Sequence, residues 1–442
     1  MGRLFGTDGV RGVANTELTC ELAFRLGMAA VAFQGRSLVI GRDTRRSGQM
    51  LEDALVAGIL AAGGVAHCAG IIPTPAVALL TRELAASGGV VISASHNPPE
   101  FNGIKLFDRS GMKLPDAVED AIEAYVLDGV PAPELRVTGP AVGYRERIDN
   151  ARELYISHAL STVNCRLDGL VIAVDCAHGA ACKTTPEALM RLGATVVAIN
   201  TDHDGLDINV ACGSTHLEPL RELVARTHAD VGLAHDGDAD RVLFIDEKGQ
   251  EVDGDFVLAI CARALDDKGE LPGHEVVSTV MANLGFMRAC EALGLNVPTT
   301  AVGDRYVLER MIEDGATLGG EQSGHIIFLD HNSTGDGLVT ALQLLQVLHE
   351  SGGTLSELKQ VMRRYPQELI NIKVASKAGW EENAAIAAAI EAAEKSLGDD
   401  GRLLVRASGT EPLIRVMVEA QEDATAHEVA AAVAAVVEAE LA

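Results

Sequence analysis

Val231-Gly232-Leu233-Ala234-His235-Asp236-Gly237-Asp238-Ala239-Asp240-Arg241 is a short apolar run that breaks directly into three carboxylates at alternate positions. An apolar run of this length before a polar turn reads as a buried strand. In open α/β sheets, ligands bind beyond the carboxyl ends of such strands, so the acidic loop sits where a site belongs. Alternate spacing lets an irregular backbone wrap Asp236, Asp238 and Asp240 around one hard cation. A solvated charge run is the blander reading, and direct continuation from the strand speaks against it.

The same order of elements recurs twice elsewhere in the chain without recurring sequence. The first copy runs from Ser37–Ile40 through a helix near Met50–Ala62 and the strand Val65–Cys68 to Gly88–Ile92. It ends in Ser93-Ala94-Ser95-His96-Asn97-Pro98. The second, which holds the acidic loop, runs from Leu170–Val174 through a helix around Pro186–Leu192 and the strand Thr195–Ile199. The third goes from Glu275–Val280 through a helix near Leu284–Leu293, past Val297–Ala301 to Ala316–Leu318, and ends in Gly319-Gly320-Glu321-Gln322-Ser323-Gly324-His325. Three polar loops in equivalent places would converge on one cleft. The tail differs: a strand Leu369–Val374, an Ala-rich helix Glu382–Leu397, two strands flanking Ala407–Pro412 and a last helix to Ala442 read as a small α+β domain.

Composition agrees with several aliphatic cores. At ~150 residues per domain, a chain of 442 residues predicts about three. Apolar residues reach 48% but aromatics only 3%, which suits helices packed on buried parallel strands and argues against a large all-β fold. The formal charge of -27 repels nucleic acid and anionic lipid, so an anionic substrate needs a local basic pocket. Eight cysteines scattered from Cys20 to Cys290 without a CxxC pair read as buried hydrophobes in a reducing compartment. With no signal-like apolar start and no run of ~18 apolar residues, the expectation is a soluble cytoplasmic protein.

Each loop carries its own chemistry. Ser95, beyond a buried strand and before the Asn97-Pro98-Pro99 turn, would expose a hydroxyl for phosphoryl acceptance, although chemistry alone does not separate it from Ser93. Lys105 could exchange a proton if nearby positive charge lowers its pKa; otherwise it is a solvated surface amine. The acidic loop has two decoys. An EF-hand would use Glu247 as its twelfth residue, but Arg241 replaces the required Gly and Val242–Ile245 reads as strand. A haloacid-dehalogenase loop would not carry Asp240. Magnesium favours a few carboxylates plus phosphate oxygens, which a phosphorylated Ser95 would supply. Glu321 and Ser323 can accept from and donate to vicinal sugar hydroxyls. Arg406-Ala407-Ser408-Gly409-Thr410-Glu411-Pro412, with Arg415 beyond it, gathers guanidinium, hydroxyl and backbone donors suited to phosphate, and Arg11 adds a cation.

These four loops in this order resemble the phosphohexomutase superfamily over essentially the whole chain. The resemblance implies three similar α/β domains with mixed sheets around a central cleft plus a smaller α+β C-terminal domain, over 1–152, 153–250, 251–365 and 366–442. It implies that Ser95 is a phosphoserine, that Asp236, Asp238 and Asp240 hold one Mg2+, and that Arg241 orients the phosphoserine. Glu321 and Ser323 would contact the sugar. Arg406, Ser408, Gly409, Thr410 and Arg415 would hold the phosphate that stays, with Arg11, Lys105 and His325 around the reacting oxygens. A sugar 1,6-bisphosphate would be the activator. Within the superfamily, Gly320-Glu321-Gln322-Ser323-Gly324-His325, Val302-Gly303-Asp304-Arg305-Tyr306 and Cys212-Gly213-Ser214-Thr215-His216 resemble the branch acting on glucosamine phosphates for cell-wall precursors, with Gln322 as marker. Glu100-Phe101 and His178 depart from the family pattern. Glucose or mannose phosphate specificity is the nearest rival; a noncatalytic sugar-phosphate sensor would need a broken serine or metal loop. The implied partners are small hexosamine phosphates, with neither nucleic acid nor membrane, and a homodimer is compatible with this reading.

Overall fold

The computed structural model describes residues 4–6, 8–127, 135–408 and 412–441. They form two compact units. One comprises Met1–Met281 with Leu295–Val361, the other Ala282–Gly294 with Met362–Ala442.

The larger unit is built on a repeated strand order. Its first sheet holds β1 (Val10–Val13), β2 (Ser37–Arg42), β3 (Val65–Ile71), β4 (Gly88–Ile92), β5 (Phe101–Asp108) and β6 (Tyr144–Arg147) in the order β1-β5-β4-β2-β3-β6. The second holds β7 (Val171–Asp175), β8 (Thr195–Ile199), β9 (Val231–His235), β10 (Val242–Asp246) and β11 (Glu251–Val252) in the order β11-β10-β9-β7-β8. In the third region, β12 (Ser278–Thr279) pairs with β13 (Thr299–Thr300), and β14 (Leu318–Gly320) with β15 (Ile326–Phe328). A parallel bridge from Val277 to Gly319 joins the two pairs.

Within each sheet the core is the same: three parallel strands, then a fourth that returns antiparallel. The sets are β3-β2-β4-β5, β8-β7-β9-β10 and β13-β12-β14-β15. The three polar loops are the three connections into the returning strand, so each leaves its sheet at the same corner. Both β4 and β9 are buried at every residue, as strands covered on two faces must be. The helices Cys20–Gln34 and Arg46–Ala61 cross closely enough that a Cβ on Gly27 would collide with the Leu55 carbonyl, and one on Gly58 with that of Phe24.

The third sheet is thinner than the sequence suggests. The expected strands Glu275–Val280 and Val297–Ala301 shrink to two-residue segments with an isolated bridge at Glu275–Asn296. Pro298 lacks an N–H and interrupts the ladder between them.

The smaller unit is an antiparallel sheet of β16 (Gln367–Lys373), β17 (Gly401–Ala407) and β18 (Leu413–Ala420), ordered β16-β18-β17. Helices Ala384–Leu397 and Asp423–Leu441 cover it through a core that includes Ile372, Ile386, Val416, Val418 and Val433. The helix Leu284–Leu293 is tied in by the buried Glu419, whose carboxylate accepts from Asn283 Nδ2 at 2.8 Å and Leu284 N–H at 2.9 Å and pairs with Arg402 at 2.8 Å. No helix among the described residues is long and apolar enough to cross a membrane.

Candidate active site

The loop between β4 and β5 is held from beneath. The buried Arg45 guanidinium donates to the carbonyls of Ser95 at 2.9 Å, Asn97 at 2.7 Å and Phe101 at 3.0 Å, and also to that of Pro98. Asp43 fixes Arg45 by an ion pair of 2.9 Å, and Asn209 Nδ2 reaches the Ser95 carbonyl at 2.8 Å from the second module. This scaffold keeps Ser95 at φ 50°, a left-handed conformation that a non-glycine residue adopts only under constraint. Its Oγ then lies 2.6 Å from Asp236 Oδ2 and 3.3 Å from His96 Nδ1. Burial, with the charges of Arg241 and Arg11, lowers the His96 pKa to about 4, so the ring is neutral near pH 7.

Asp236, Asp238 and Asp240 present carboxylate oxygens all within 4.8 Å of one another, and all three side chains are buried. Asp238 Oδ2 accepts from Thr74 Oγ1 at 2.6 Å and Lys105 Nζ at 2.9 Å, while Asp238 Oδ1 and Asp240 Oδ1 are buried without a hydrogen-bond partner among the described residues. Buried, convergent, unsatisfied carboxylate oxygens are costly unless a cation takes them, so the triad fits a hard divalent metal. Burial raises the Asp236 pKa, as do the charges of Asp240 and Asp238; for Asp240, burial is outweighed by Lys105, His325 and Arg241, and its pKa falls.

Lys105 answers neither sequence expectation. It is only 1% exposed, so it is no surface amine. Its neighbours are acidic: Asp238 Oδ2 and Asp8 Oδ2 both at 2.9 Å, and Asp240 Oδ2 at 3.6 Å. Against the effect of burial they raise its pKa, and Lys105 is a fixed cation rather than an amine poised to lose its proton.

The third loop meets the second through backbone. Val242 N–H donates to the Gly324 carbonyl at 3.1 Å, next to Arg241. Glu321 Oε1 accepts from Gly303 N–H at 3.1 Å, and Ser323 Oγ is buried without a hydrogen-bond partner among the described residues, so that it can engage a ligand hydroxyl. Gln322 Nε2 instead turns to Asp253 at 3.3 Å and secures the loop to a helix cap. His325 is buried between Asp304 and Asp240, whose charges raise its pKa against burial. The Gly335 N–H aimed at Nε2 at 3.1 Å puts the neutral ring's proton on Nδ1. Arg11 pairs with Asp8, and Arg241 stays charged under Asp240, Asp236 and Glu321 despite its burial.

In the smaller unit, Arg406 and Arg415 are direct cross-strand partners on β17 and β18. Burial, and then Arg415, lowers the Arg406 pKa, as expected for two cations side by side. Ser408 is buried, with its N–H on the Leu413 carbonyl at 2.8 Å and its own carbonyl taken by Lys377 Nζ at 2.6 Å. Gly409 and Thr410 lie outside the described residues.

Of the residues singled out from sequence, Ser95, Lys105, Arg11, the three aspartates, Arg241, Glu321, Ser323 and His325 all lie in the larger unit. No supporting role was read for Asp8, Asp43, Arg45, Thr74, Lys113, Asn209 or Asp304, which contact them, their loops or one another. Asp43-Thr44-Arg45 directly after a buried strand was the available signal.

Four sequence families match the chain in order. The phosphoglucomutase/phosphomannomutase alpha/beta/alpha domain I matches residues 2–130, domain II 153–249, domain III 253–365 and the C-terminal domain 369–436. The chain is 52% identical over 448 residues to a phosphoglucosamine mutase of Clostridium novyi (strain NT), covering 99% of each chain. It is 55% identical over 427 residues to one of Moorella thermoacetica, covering 95% of each. Its fold superposes on the crystal structure of a phosphoglucomutase/phosphomannomutase family protein from Burkholderia thailandensis with a TM-score of 0.83 at 25% identity, covering 99% of this chain and 97% of that one.

Proposed function

Because the chain belongs to the phosphoglucomutase/phosphomannomutase family, in its phosphoglucosamine mutase branch, we propose that it interconverts glucosamine 6-phosphate and glucosamine 1-phosphate by way of a phosphorylated Ser95. The observation that carries this reading is the Ser95 hydroxyl, held 2.6 Å from Asp236 inside a buried triad of aspartates. In the forward direction the phosphoserine P–Oγ bond breaks as a bond forms from phosphorus to O1 of the sugar. The O1 proton departs, and Ser95 Oγ regains one. The resulting glucosamine 1,6-bisphosphate turns end for end, and its 6-phosphate returns to Ser95 with the opposite proton traffic.

His325, with its proton on Nδ1 and carboxylates on both sides, is the group placed to exchange protons. Lys105, Arg11 and Arg241 are cations that neutralise the transferring phosphoryl group. Glu321 and Ser323 grip the sugar hydroxyls. Arg406, Ser408, Gly409, Thr410 and Arg415 hold the phosphate that is not moving, a clamp equally useful to either orientation. The bound metal, which we take to be a single Mg2+ held by Asp236, Asp238 and Asp240, would withdraw charge from the phosphoryl oxygens. The four-domain division 1–152, 153–250, 251–365 and 366–442 gives each loop its own domain, and a cytoplasmic setting matches the free cysteines.

The test is a label. Enzyme carrying radioactive phosphate on Ser95, given unlabelled glucosamine 6-phosphate, should leave label in glucosamine 1-phosphate and end unlabelled. Label that stays on the protein through many turnovers excludes the mechanism. Side-by-side turnover of glucose, mannose and glucosamine phosphates separates this reading from the hexose-specific alternative.

A further inference from the structure

Six side chains close a ring beside the site, in which carboxylates alternate with two ammonium groups and the His325 imidazole. Asp240 Oδ2 is 3.6 Å from Lys105 Nζ, which is 2.9 Å from Asp8 Oδ2; Asp8 Oδ1 is 2.6 Å from Lys113 Nζ. Lys113 Nζ is in turn 2.6 Å from Asp304 Oδ2, which lies 3.5 Å from His325 Nε2, and His325 Nδ1 is 3.8 Å from Asp240 Oδ2. Three members, Asp240, Lys105 and His325, already have parts in the reaction. The far side, Asp8, Lys113 and Asp304, has none.

We propose that Lys113 is a positioning residue for phosphoryl transfer: by bridging Asp8 and Asp304 it keeps those carboxylates shared, so that Lys105 and His325 remain aimed at the reacting oxygens. The proposal rests on the mutase reading above. The physical ground is competition for cations. A largely buried carboxylate left without its partner draws in the nearest alternative, because an unpaired charge in low dielectric is costly. Without the Lys113 ammonium, Asp8 is left to Lys105 and Arg11, which already touch it, and Asp304 is left to the His325 ring. Lys105 and His325 would then be drawn further toward these carboxylates, away from Asp240 and from the phosphoryl group.

Lys113 also joins two modules, since it follows β5 of the first sheet whereas Asp304 begins the helix Asp304–Asp314 of the third region. It is not the only tie there. Arg305 reaches Asp116, the Leu114 carbonyl at 2.8 Å and Glu119 at 2.8 Å. Mechanical attachment is therefore provided beside Lys113, and what Lys113 adds is the charge between two carboxylates.

The experiment uses the full chain with Mg2+ and glucosamine 6-phosphate. Lys113→Met should lower kcat by roughly thirty-fold while KM stays within about threefold of wild type, since substrate-gripping groups are untouched. Lys113→Arg, which restores a cation able to bridge two carboxylates, should return kcat to within about fivefold. Asp304→Asn alone should cost about tenfold, but added to Lys113→Met it should cost less than about threefold more, because it removes a carboxylate the missing lysine had balanced. Wild-type kcat in Lys113→Met, a loss carried by KM, or full additivity of the pair would overturn the proposal. If Lys113→Met does not fold, Lys113→Arg decides: kcat below about a thirtieth of wild type at an unchanged Tm overturns it, and recovery to within about fivefold supports it. Absence of mutase turnover in the wild type would instead sink the functional reading.

Discussion

The backbone N–H of Ser95 donates to Ser93 Oγ at 2.9 Å, and that hydroxyl donates to Asp43 Oδ2 at 2.6 Å. Two serines that chemistry alone left interchangeable therefore have different work. Ser93 is a strut between a buried ion pair and the loop, and Ser95 presents its oxygen to the aspartates. Ser95→Ala should abolish turnover, with Tm within about 2 °C of wild type, because it deletes a nucleophile and only its contacts to Asp236 and His96. Ser93→Ala should cost about 1–2 kcal/mol of stability by leaving a buried N–H unmet, with only a moderate loss of kcat. Thermal melts and steady-state turnover of both variants check this.

Asp238 has one carboxylate oxygen committed to Thr74 and Lys105 and one with no hydrogen-bond partner among the described residues. Asp238→Asn keeps the shape, removes a charge and weakens the ligand. Its kcat should fall on the order of a hundredfold, and the Mg2+ concentration giving half-maximal activity should rise. Chelator should silence the wild type, and Mg2+ should restore it. Undiminished activity in chelator would remove the metal from this site.

The fold was legible where apolar runs met polar loops. Val231–Ala234 and Gly88–Ile92 announced buried strands, and the loop after each could be read for its ligands. The third sheet was legible only as an order of elements, because Pro298 and the paired glycines Gly319-Gly320 leave segments too short to show strand character. Side chains that meet a ligand stood out by type and spacing. Those that hold them did not: Arg45, fixed by Asp43, acts through carbonyls some 50 residues away, for which sequence carries no mark. Lys105 was identified as a cation, but the sign of its pKa shift depended on Asp8 and Asp238, which only folding brings near.

Arg406 and Arg415 stand opposite each other on neighbouring strands, a pairing of like charges suited to an anion. If their purpose is to grip the distal phosphate, Arg415→Ala should lower turnover by at least about tenfold, with less effect on phosphorylation of Ser95 by glucosamine 1,6-bisphosphate. Thermal melting of the variant, read beside turnover, separates loss of the clamp from loss of the fold. Equal losses in turnover and in serine phosphorylation would place Arg415 elsewhere in the reaction.

His235, the residue that ends β9 before the metal loop, is buried with both ring nitrogens engaged: Nδ1 lies 3.1 Å from the Arg241 carbonyl and Nε2 2.9 Å from Thr185 Oγ1. The carbonyl can only accept, so Nδ1 carries the proton and Nε2 takes the threonine hydrogen, a fully satisfied neutral ring. Burial lowers its pKa from 6.5 to about 4, although the Arg241 carbonyl favours the charged form. The unfolded chain therefore binds a proton that the folded chain refuses between those two values. Stability contributed by the neutral ring is complete above pH 6.5 and is lost as pH falls toward 4, to a total of roughly 3 kcal/mol. His96, also lowered to about 4, adds to the same slope. Thermal melts of the wild type should show Tm dropping steeply over this window, before most carboxylates titrate. His235→Gln should be less stable at pH 7, for loss of packing and hydrogen bonds, yet show a visibly shallower fall because one of the three histidines lowered by burial, beside His96 and His331, no longer takes up a proton. A slope identical to that of the wild type would mean that His235 is not buried neutral, and the tautomer assigned from Arg241 and Thr185 would fall with it.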